Sequence, residues 1–332
     1  MHLGKNPARV STPVRPYWRS GSDGSLLHRA ASGNLRRMTL RVPEWPARPS
    51  RARGVSLALG GGFARGFAHL GVLKVFEQQR IPIAAIAGSS IGSIIGAAYA
   101  SGVPLARIIS VSRSIRFRDF ARWRVSRLGL ASNQRLGDLI LRVLQARTFE
   151  DLFIPFAVVA TDLGSGEAVE FTRGGLSDAI RASCAFPGLF EPVEIGTRCL
   201  VDGGLAAPVP TRAARALGGG CVVGVSVGVH DGRSGNPSNI FQVVSRAVSA
   251  AQKNQAELWE READLVLRPD VQSIAWDDFA SADQAIEAGT TAANLAIPRI
   301  QELLARPAAI PELHGASEDD APGTLWLAEV MR

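Results

Sequence analysis

Three short glycine-containing segments hold the residues whose types and spacing could support a reaction. Gly60-Gly-Gly-Phe-Ala-Arg-Gly66 and Gly88-Ser-Ser-Ile-Gly92 each follow a short apolar run and precede a helical pattern, and Asp202-Gly-Gly204 ends a third run. A serine hydroxyl becomes a good nucleophile only when a base takes its proton. The backbone N–H groups of a glycine loop beside a helix N-terminus bind anions. Together the three segments contain the groups that acyl transfer needs.

The first glycine loop alone fits two kinds of anion, the pyrophosphate of a dinucleotide or the oxyanion of an acyl-transfer intermediate. A dinucleotide site has an acidic residue at the end of the second strand. Here that strand ends in Gly88-Ser-Ser-Ile-Gly92 and carries no carboxylate. This G-x-S-x-G turn between a strand and a helix is typical of an exposed nucleophile. The pattern favours acyl transfer by Ser90, flanked by Gly88 and Gly92, and nucleotide binding by Gly60–Gly66 is the alternative.

Two kinds of residue are candidates for the base that activates Ser90. His230 and His314 follow the serine in the chain, one in a glycine-rich loop and one near the C-terminus, whereas His69 is expected to pack or cap beside the first loop. Asp202 ends a short strand, and the two glycines after it leave its approach open. A free aspartate titrates near about 3.9, and burial beside a serine raises its pKa and makes it a better base. We predict that Asp202 is the base, and a simple turn is the alternative.

The elements that hold these residues alternate between strand and helix. The predicted strands are Val55–Leu59, Ala84–Ala87, Phe156–Ala160, Ala168–Phe171, Leu200-Val201, Val222–Val227 and Leu265–Leu267. The predicted helices are Arg65–Gln79, one ending near Ser101, one beginning at Pro104, Leu136–Gln145, Leu176–Ser183, Asn239–Glu262 and Ser281–Leu304. Such alternation predicts an α/β fold, with a mostly parallel central sheet and helices on both faces.

Charge divides the chain of 332 residues into unequal parts. Residues 1–53 carry +9 and the remainder carries −2, so nucleic-acid binding is not expected of the folded body. We predict a basic, disordered leader over 1–53, one domain over 54–305 and a loosely ordered tail over 306–332. Lipid contact by the leader, an organelle transit peptide and a translation start at Met38 are alternatives for the first segment.

The uncharged stretch Ile81–Ala106 is long enough to cross a bilayer, but glycines and prolines interrupt it. We therefore predict a buried strand, a turn and a buried helix there. The three cysteines, Cys184, Cys199 and Cys221, do not make a disulfide framework and fit small core positions in a reducing compartment. We expect a cytoplasmic protein, in peripheral contact with the inner face of the membrane if its basic segments bind lipid, and neither a metal nor a cofactor.

Five ordered blocks resemble the patatin-like phospholipase family, in particular bacterial members of its neuropathy-target-esterase-like branch. The blocks are Gly61–Gly66, Gly88–Gly92, Ala160–Glu167, Ala182–Pro192 and Asp202–Gly204. The resemblance is strong over about residues 54–230 and fades toward 305. It implies a three-layer α/β/α fold and a serine acyl hydrolase of lipid esters, of the phospholipase A or lysophospholipase type. A binding or regulatory protein of the same fold, with incidental esterase activity, is the alternative.

The resemblance also implies the role of each site residue. These residues are the Ser90–Asp202 dyad of nucleophile and general base, the oxyanion-hole residues Gly61, Gly62, Phe63 and Arg65, and the elbow residues Gly88 and Gly92. Phe63 departs from the family, which usually has glycine at this position. Its N–H can still donate, but its Cβ restricts the backbone and its ring narrows the site. Gly61 and Gly62 are therefore the favoured donors. Arg65 is expected to orient the loop through hydrogen bonds, and simple capping of local structure is the alternative.

A basic segment, Arg113–Arg127, contains six arginines, one aspartate and three interleaved aromatic residues. Two interpretations fit this pattern. The segment forms an amphipathic element on an anionic lipid surface, or its aromatic residues pack inward and leave the arginines in water. Nucleic-acid contact is a third and weaker interpretation.

Overall fold

The central sheet sets the position of every element around the candidate site. The computed structural model describes residues 54–123, 126–228, 236–237 and 240–306, all within the unit Trp45–Arg332, so the predicted leader and nearly all of the predicted tail lie outside the described residues. The strands are β1 (Val55–Leu59), β2 (Ile83–Ser89), β3 (Arg122–Trp123), β4 (Ala131–Ser132), β5 (Phe156–Asp162), β6 (Ala168–Phe171), β7 (Val193–Ile195), β8 (Arg198–Val201), β9 (Cys221–Val225) and β10 (Leu265–Leu267). The helices are α1 (Ala68–Gln78), α2 (Ile91–Ala100), α3 (Leu105–Ser114), α4 (Phe117–Phe120), α5 (Gln134–Val143), α6 (Leu176–Ser183), α7 (Thr211–Ala216), α8 (Ile240–Asn254), α9 (Ala256–Arg261) and α10 (Ala282–Ala305).

Eight strands form one sheet in the order β10-β9-β1-β2-β5-β8-β7, and β6 also pairs with β5. The strands from β10 to β5 in this order run parallel, whereas β6, β8 and β7 are added in antiparallel fashion. The predicted α/β class is confirmed, but the sheet is more mixed than predicted. The turns at Gly164–Gly166 and at Gly196, where φ is 62°, return the chain directly beside the strand that it has left. Such turns build antiparallel hairpins.

Alternation along the strands places large side chains on one face of the sheet and small side chains on the other. On β1, Leu57 and Leu59 belong to the larger core, which they share with side chains of α1, α2 and α10. Ala58 points to the other face and packs with Ala87 of β2 and with α7. Successive residues of a strand face opposite sides, so the small side chains on the second face allow α7 to approach closely. Helices therefore cover both faces, as the predicted three-layer arrangement requires.

The crossing of α1 and α10 secures the glycine loop that precedes α1. Gly71 lies against the carbonyl of Ile286, and Gly289 lies against the carbonyl of Ala68. A Cβ atom at either glycine would collide with backbone, so the two helices approach at the limit set by their main chains. The 3-10 turn Phe63–Phe67, which leads into α1, also packs on α10. The end of the described chain thus holds the loop near its beginning.

Two predicted helices differ from the structure in detail. The helix predicted over Asn239–Glu262 is interrupted at Gln255, which separates α8 from α9. The helix predicted to begin at Arg65 begins as the tighter 3-10 turn Phe63–Phe67. The stretch Ile81–Ala106 forms β2, α2 and the start of α3, as predicted. None of the helices that the structure describes has both the length and the apolar character that crossing a bilayer requires.

Candidate active site

Ser90 occupies a sharp turn between β2 and α2. Its φ of 51° and ψ of −125° are unfavourable for an L residue. A strained turn between a strand and a helix is also what a nucleophile elbow requires. The turn has no room for larger residues beside the serine. A Cβ atom at Gly92 would collide with the end of β1, and one at Gly88 would lie 2.5 Å from the backbone of the first turn of α2. The two glycines are therefore a steric requirement of the elbow.

The register of the sheet brings Ser90 and Asp202 together across 112 positions of sequence. Strand β5 lies between β2 and β8. Ser89 at the end of β2 pairs with Val159 of β5, two residues before the β5 partner of Val201. Because both strands end beside the same stretch of β5, the residues that follow them meet. The Ser90 Oγ donates a hydrogen bond of 2.7 Å to the Asp202 Oδ2.

Asp202 is held in place through both its side chain and its backbone. The second carboxylate oxygen, Oδ1, accepts the Gly204 N–H at 2.8 Å. The Asp202 N–H donates to the Ala185 carbonyl at 2.9 Å, and its own carbonyl accepts the Thr161 hydroxyl at 2.8 Å. The residue is only 4% exposed. Burial raises the pKa of Asp202 to about 6, against the opposing effect of the hydrogen bonds from Ser90 and Gly204. This carboxylate is a better proton acceptor near neutral pH than an exposed one.

The sequence prediction missed Ser183, which braces the elbow. The Ser90 N–H donates to the Ser183 Oγ at 2.8 Å, and that hydroxyl donates to the Val159 carbonyl of β5 at 2.6 Å. Ser183 is fully buried at the end of α6. One hydroxyl therefore connects the strained turn to the central sheet. The signal in the sequence was a lone serine in the apolar run Ala182–Ala185, and its partners could not be inferred without the fold.

The first part of the glycine loop is closed onto its surroundings. The Gly60 N–H donates to the Val225 carbonyl at 3.1 Å, and the Gly61 N–H donates to the Pro208 carbonyl at 3.2 Å. A Cβ atom at Gly61 would lie 3.3 Å from the Cβ of Ser90, so the loop passes directly beside the serine. The Gly61 amide is close to the site but is already engaged.

The two amides that follow differ from that of Gly61 in their hydrogen bonding. Within the described residues, the N–H groups of Gly62 and Phe63 have no backbone acceptor. The sequence favoured Gly61 and Gly62 over Phe63 as oxyanion donors, and the bond from Gly61 counts against Gly61 in that ranking. The physical reason is that the Gly61 N–H closes the loop onto Pro208.

Phe63 adopts a conformation that favours glycine. Its φ is 50°, in the left-handed region. Its ring makes edge-to-face contacts with Phe186 and Trp276, at centroid separations of 5.4 and 5.1 Å. Pairs of this kind stabilise by about 0.5–1.5 kcal/mol each beyond the burial of their surface. The ring contacts therefore offset the strain of the backbone.

Arg65 fastens the glycine loop to the segment before α10. The side chain is buried, and its Nε donates to the Ile274 carbonyl at 2.7 Å. The Ala64 N–H donates to the Trp276 carbonyl at 3.0 Å in the same region. These bonds suit the orienting role expected of Arg65. They bridge more than 200 positions of sequence.

His69 bonds to the glycine loop and takes no part in the Ser90–Asp202 hydrogen bond. It is fully buried, and burial lowers its pKa to about 4. Its ring is therefore neutral near neutral pH, and its Nε2–H donates to the Gly60 carbonyl at 2.8 Å. His230 and His314 lie outside the described residues. In the part of the chain that the structure describes, no group of three His, Cys, Asp or Glu side chains could hold a metal ion.

An apolar cavity opens at Ser90. Its walls are side chains of α2, α3 and α5, with Phe63 and Phe190 among the aromatic residues. Its volume is about 100 Å³. Apart from Ser90, its only lining residues with a hydroxyl or thiol are Ser112 and Cys184. The hydroxyl of the candidate nucleophile thus faces a space suited to a hydrocarbon chain.

The basic segment combines inward packing with exposed charge. Phe117 of α4 stacks on Phe190 at a centroid separation of 6.1 Å. Arg116 and Arg118 are exposed on either side of it, and Arg113 pairs with Asp283 at 2.7 Å. Within the described residues, the segment forms the end of α3, the short helix α4 and the strand β3, which pairs with β4. Arg124 lies outside the described residues.

The amino-acid sequence is similar to one protein-family model and to several known proteins. Residues 57–215 match the family model described as patatin-like phospholipase. An uncharacterised NTE family protein of Mycobacterium tuberculosis is 36% identical over 183 residues, covering 54% of this chain and 51% of that protein. The human patatin-like phospholipase domain-containing protein 6 is 32% identical over 198 residues, covering 56% and 14%. Lysophospholipase NTE1 of Mycosarcoma maydis is 31% identical over 186 residues, covering 54% and 10%. The chain spans about half the length of the mycobacterial relative and less of the others.

The strain at Phe63 can be separated from the packing of its ring by two substitutions. Phe63→Gly and Phe63→Ala both remove the ring, but only alanine keeps a Cβ at a φ of 50°. We expect the glycine variant to be more stable than the alanine variant by about 1 kcal/mol, measured by denaturant unfolding. Equal stabilities would show that the loop relaxes out of the left-handed conformation. Gly175→Ala is the control, because at a φ of −70° and in open space it measures the effect of exchanging glycine and alanine without left-handed strain.

Proposed function

We propose that this chain, whose residues 57–215 are a patatin-like phospholipase domain, hydrolyses carboxylic esters of lipids. The observation that supports this most directly is the 2.7 Å hydrogen bond from the Ser90 Oγ to the Asp202 Oδ2, at a strained elbow beside the glycine loop. The proposed class is the phospholipase A or lysophospholipase type, with a Ser–Asp dyad and no histidine in the proton path.

The proposed reaction has two acyl-transfer steps. In the first, the Ser90 Oγ attacks the ester carbonyl while Asp202 takes the hydroxyl proton, and collapse of the tetrahedral intermediate passes that proton to the departing alcohol. In the second, Asp202 takes a proton from water, which attacks the acyl-enzyme. The proton then returns to the Ser90 oxygen as the carboxylic acid leaves.

The negative charge of each intermediate needs hydrogen-bond donors fixed in advance. We assign this role to the N–H groups of Gly62 and Phe63, with the N-terminus of α2 adding its partial positive charge. Gly61 contributes by having no side chain beside Ser90. Arg65 holds the loop in position through the Ile274 carbonyl.

The lipid character of the proposed substrate rests on the cavity at Ser90. An acyl chain bound there would exchange water for the apolar side chains of α2, α3 and α5. A short, polar acyl group would leave the same space unfilled. The relatives whose names include a phospholipase domain or a lysophospholipase support this choice.

We further propose peripheral contact with an anionic membrane through the basic segment. Arg116 and Arg118 are exposed, and Phe117 between them packs toward Phe190, a residue of the cavity wall. Charges at this place are therefore carried by residues that adjoin the cavity wall. The predicted contribution of the leader concerns residues outside the described range.

The dyad predicts a clear order among three substitutions. Ser90→Ala should lower kcat/KM for a soluble p-nitrophenyl ester by at least about 10³-fold and abolish labelling by a fluorophosphonate. Asp202→Asn should also cause a large loss, because the base is removed while the shape is kept. His69→Gln should retain much of the activity, with thermal unfolding used to confirm that each variant is folded. A loss at His69 as large as that at Asp202 would contradict the dyad, and an unlabelled wild-type Ser90 would favour the binding-protein alternative.

The pKa of Asp202 predicts the acid limb of the pH profile. The base is active when deprotonated, so kcat/KM should fall as the pH drops through about 6, with the slope of a single proton. Burial causes this displacement from the usual aspartate range. The profile is measured with a soluble ester whose own ionisation lies outside this range. A midpoint near 4 would mean that the carboxylate titrates as an exposed group and would contradict the proposed environment.

Membrane contact predicts a loss of vesicle binding that soluble-ester turnover does not share. Replacing both Arg116 and Arg118 by glutamine should weaken binding to phosphatidylserine-containing vesicles by about tenfold or more, at about 1 kcal/mol for each basic residue near the surface. Turnover of a short soluble ester should stay within about twofold. Arg261→Gln with Arg299→Gln removes the same charge from α9 and α10 and serves as the control. Equal vesicle binding by all three proteins would exclude this segment as the contact.

A further inference from the structure

One face of α2 forms a continuous wall of the apolar cavity. Ile91, Ile94, Ile95 and Ala98 all line it, at the spacing of a single helical face. Ser90 directly precedes this helix, so the wall begins at the nucleophile. Ala98 lies eight residues further on, about 12 Å along the helix axis.

Two further helices enclose the same space. Helix α3 contributes Ile108 and Val111, and Ile115 directly follows it. Helix α5 contributes Leu136, Leu139, Ile140 and Val143, and Leu144 directly follows it. Helix α3 follows α2 after a turn of four residues, 101–104. This short connection places Ile108, in the first turns of α3, at the Ala98 end of the cavity. The space thus extends from Ser90 toward the turn between α2 and α3.

The smallest side chain of the α2 wall lies at its far end. Ala98 is 3% exposed and lines the cavity, while the three lining residues before it on α2 are isoleucines. An alanine leaves room at the place where the end of a bound chain would lie. A larger side chain there would occupy that room without touching Ser90 or Asp202.

We infer that the acyl chain binds along the α2 face and that Ala98 determines the longest acyl chain that the cavity accepts. This inference rests on the proposed function. An extended hydrocarbon advances about 1.25 Å per carbon, so about ten carbons span the 12 Å from Ser90 to Ala98. Each methylene buried along this path contributes about fourfold to kcat/KM.

The test uses p-nitrophenyl esters from acetyl to dodecanoyl, each below its micelle-forming concentration. For the wild type, kcat/KM should rise with chain length up to about ten carbons and then level off. Ala98→Phe should lower it at least about tenfold for decanoyl and dodecanoyl esters and leave butanoyl within about twofold. Ala98→Leu should move the plateau to a shorter chain by a smaller step. Leu141→Phe, on α5 but 40% exposed and outside the cavity wall, should change nothing.

Thermal unfolding distinguishes a filled cavity from a destabilised fold as the cause of lost activity. The new side chain enters empty space, so Tm should stay the same or rise for Ala98→Leu and Ala98→Phe. If Ala98→Phe does not fold, Ala98→Leu alone decides. An equal loss at every chain length, or no loss at any, would overturn the inference while leaving the esterase proposal intact. A wild type that hydrolyses none of the esters would instead refute the proposed function, and the inference with it.

Discussion

A carboxylate removed from water is stable only when its oxygens accept hydrogen bonds, and Asp202 is almost completely removed from water. Its two oxygens accept one hydroxyl, from Ser90, and one amide, from Gly204. Neither donor carries a charge, so the pKa stays raised and the group keeps its affinity for a proton. A salt bridge in the same place would have lowered that pKa and made a weaker base. The arrangement of β2, β5 and β8 gives this pair its geometry.

The site concentrates unfavourable backbone conformations within a small region. Ser90 and Phe63 both have φ near 50°, which costs on the order of 1–3 kcal/mol at each position. Each is opposed by contacts from outside its own segment. Ser183 braces the serine against β5, and two aromatic rings enclose that of Phe63. In the proposed reaction, a region so constrained would hold Ser90 and the N–H groups of the glycine loop in place without reorganisation.

The sequence identified the groups that local patterns encode. The G-x-S-x-G turn indicated Ser90, and the strand ending in Asp202-Gly-Gly204 indicated the carboxylate, because each pattern is complete within a few residues. The hydrogen bonds from Ser90 to Ser183 and from Gly61 to Pro208 join segments 93 and 147 positions apart, and the register of a mixed sheet decides them. The β7–β8 hairpin was also missed in part, since a three-residue strand gives almost no periodic signal. The contacts between segments that are distant in sequence could therefore not be predicted from local patterns.

The contact between Gly71 and Gly289 also orders events during synthesis. A growing chain contains Ser90, Asp202 and the glycine loop well before α10 has been made. Until then the loop lacks the helix on which its 3-10 turn packs, and Arg65 lacks the Ile274 carbonyl. Contacts of such long sequence separation form late in folding. The packing of the glycine loop is therefore the last part of the candidate site to be completed as the chain is translated.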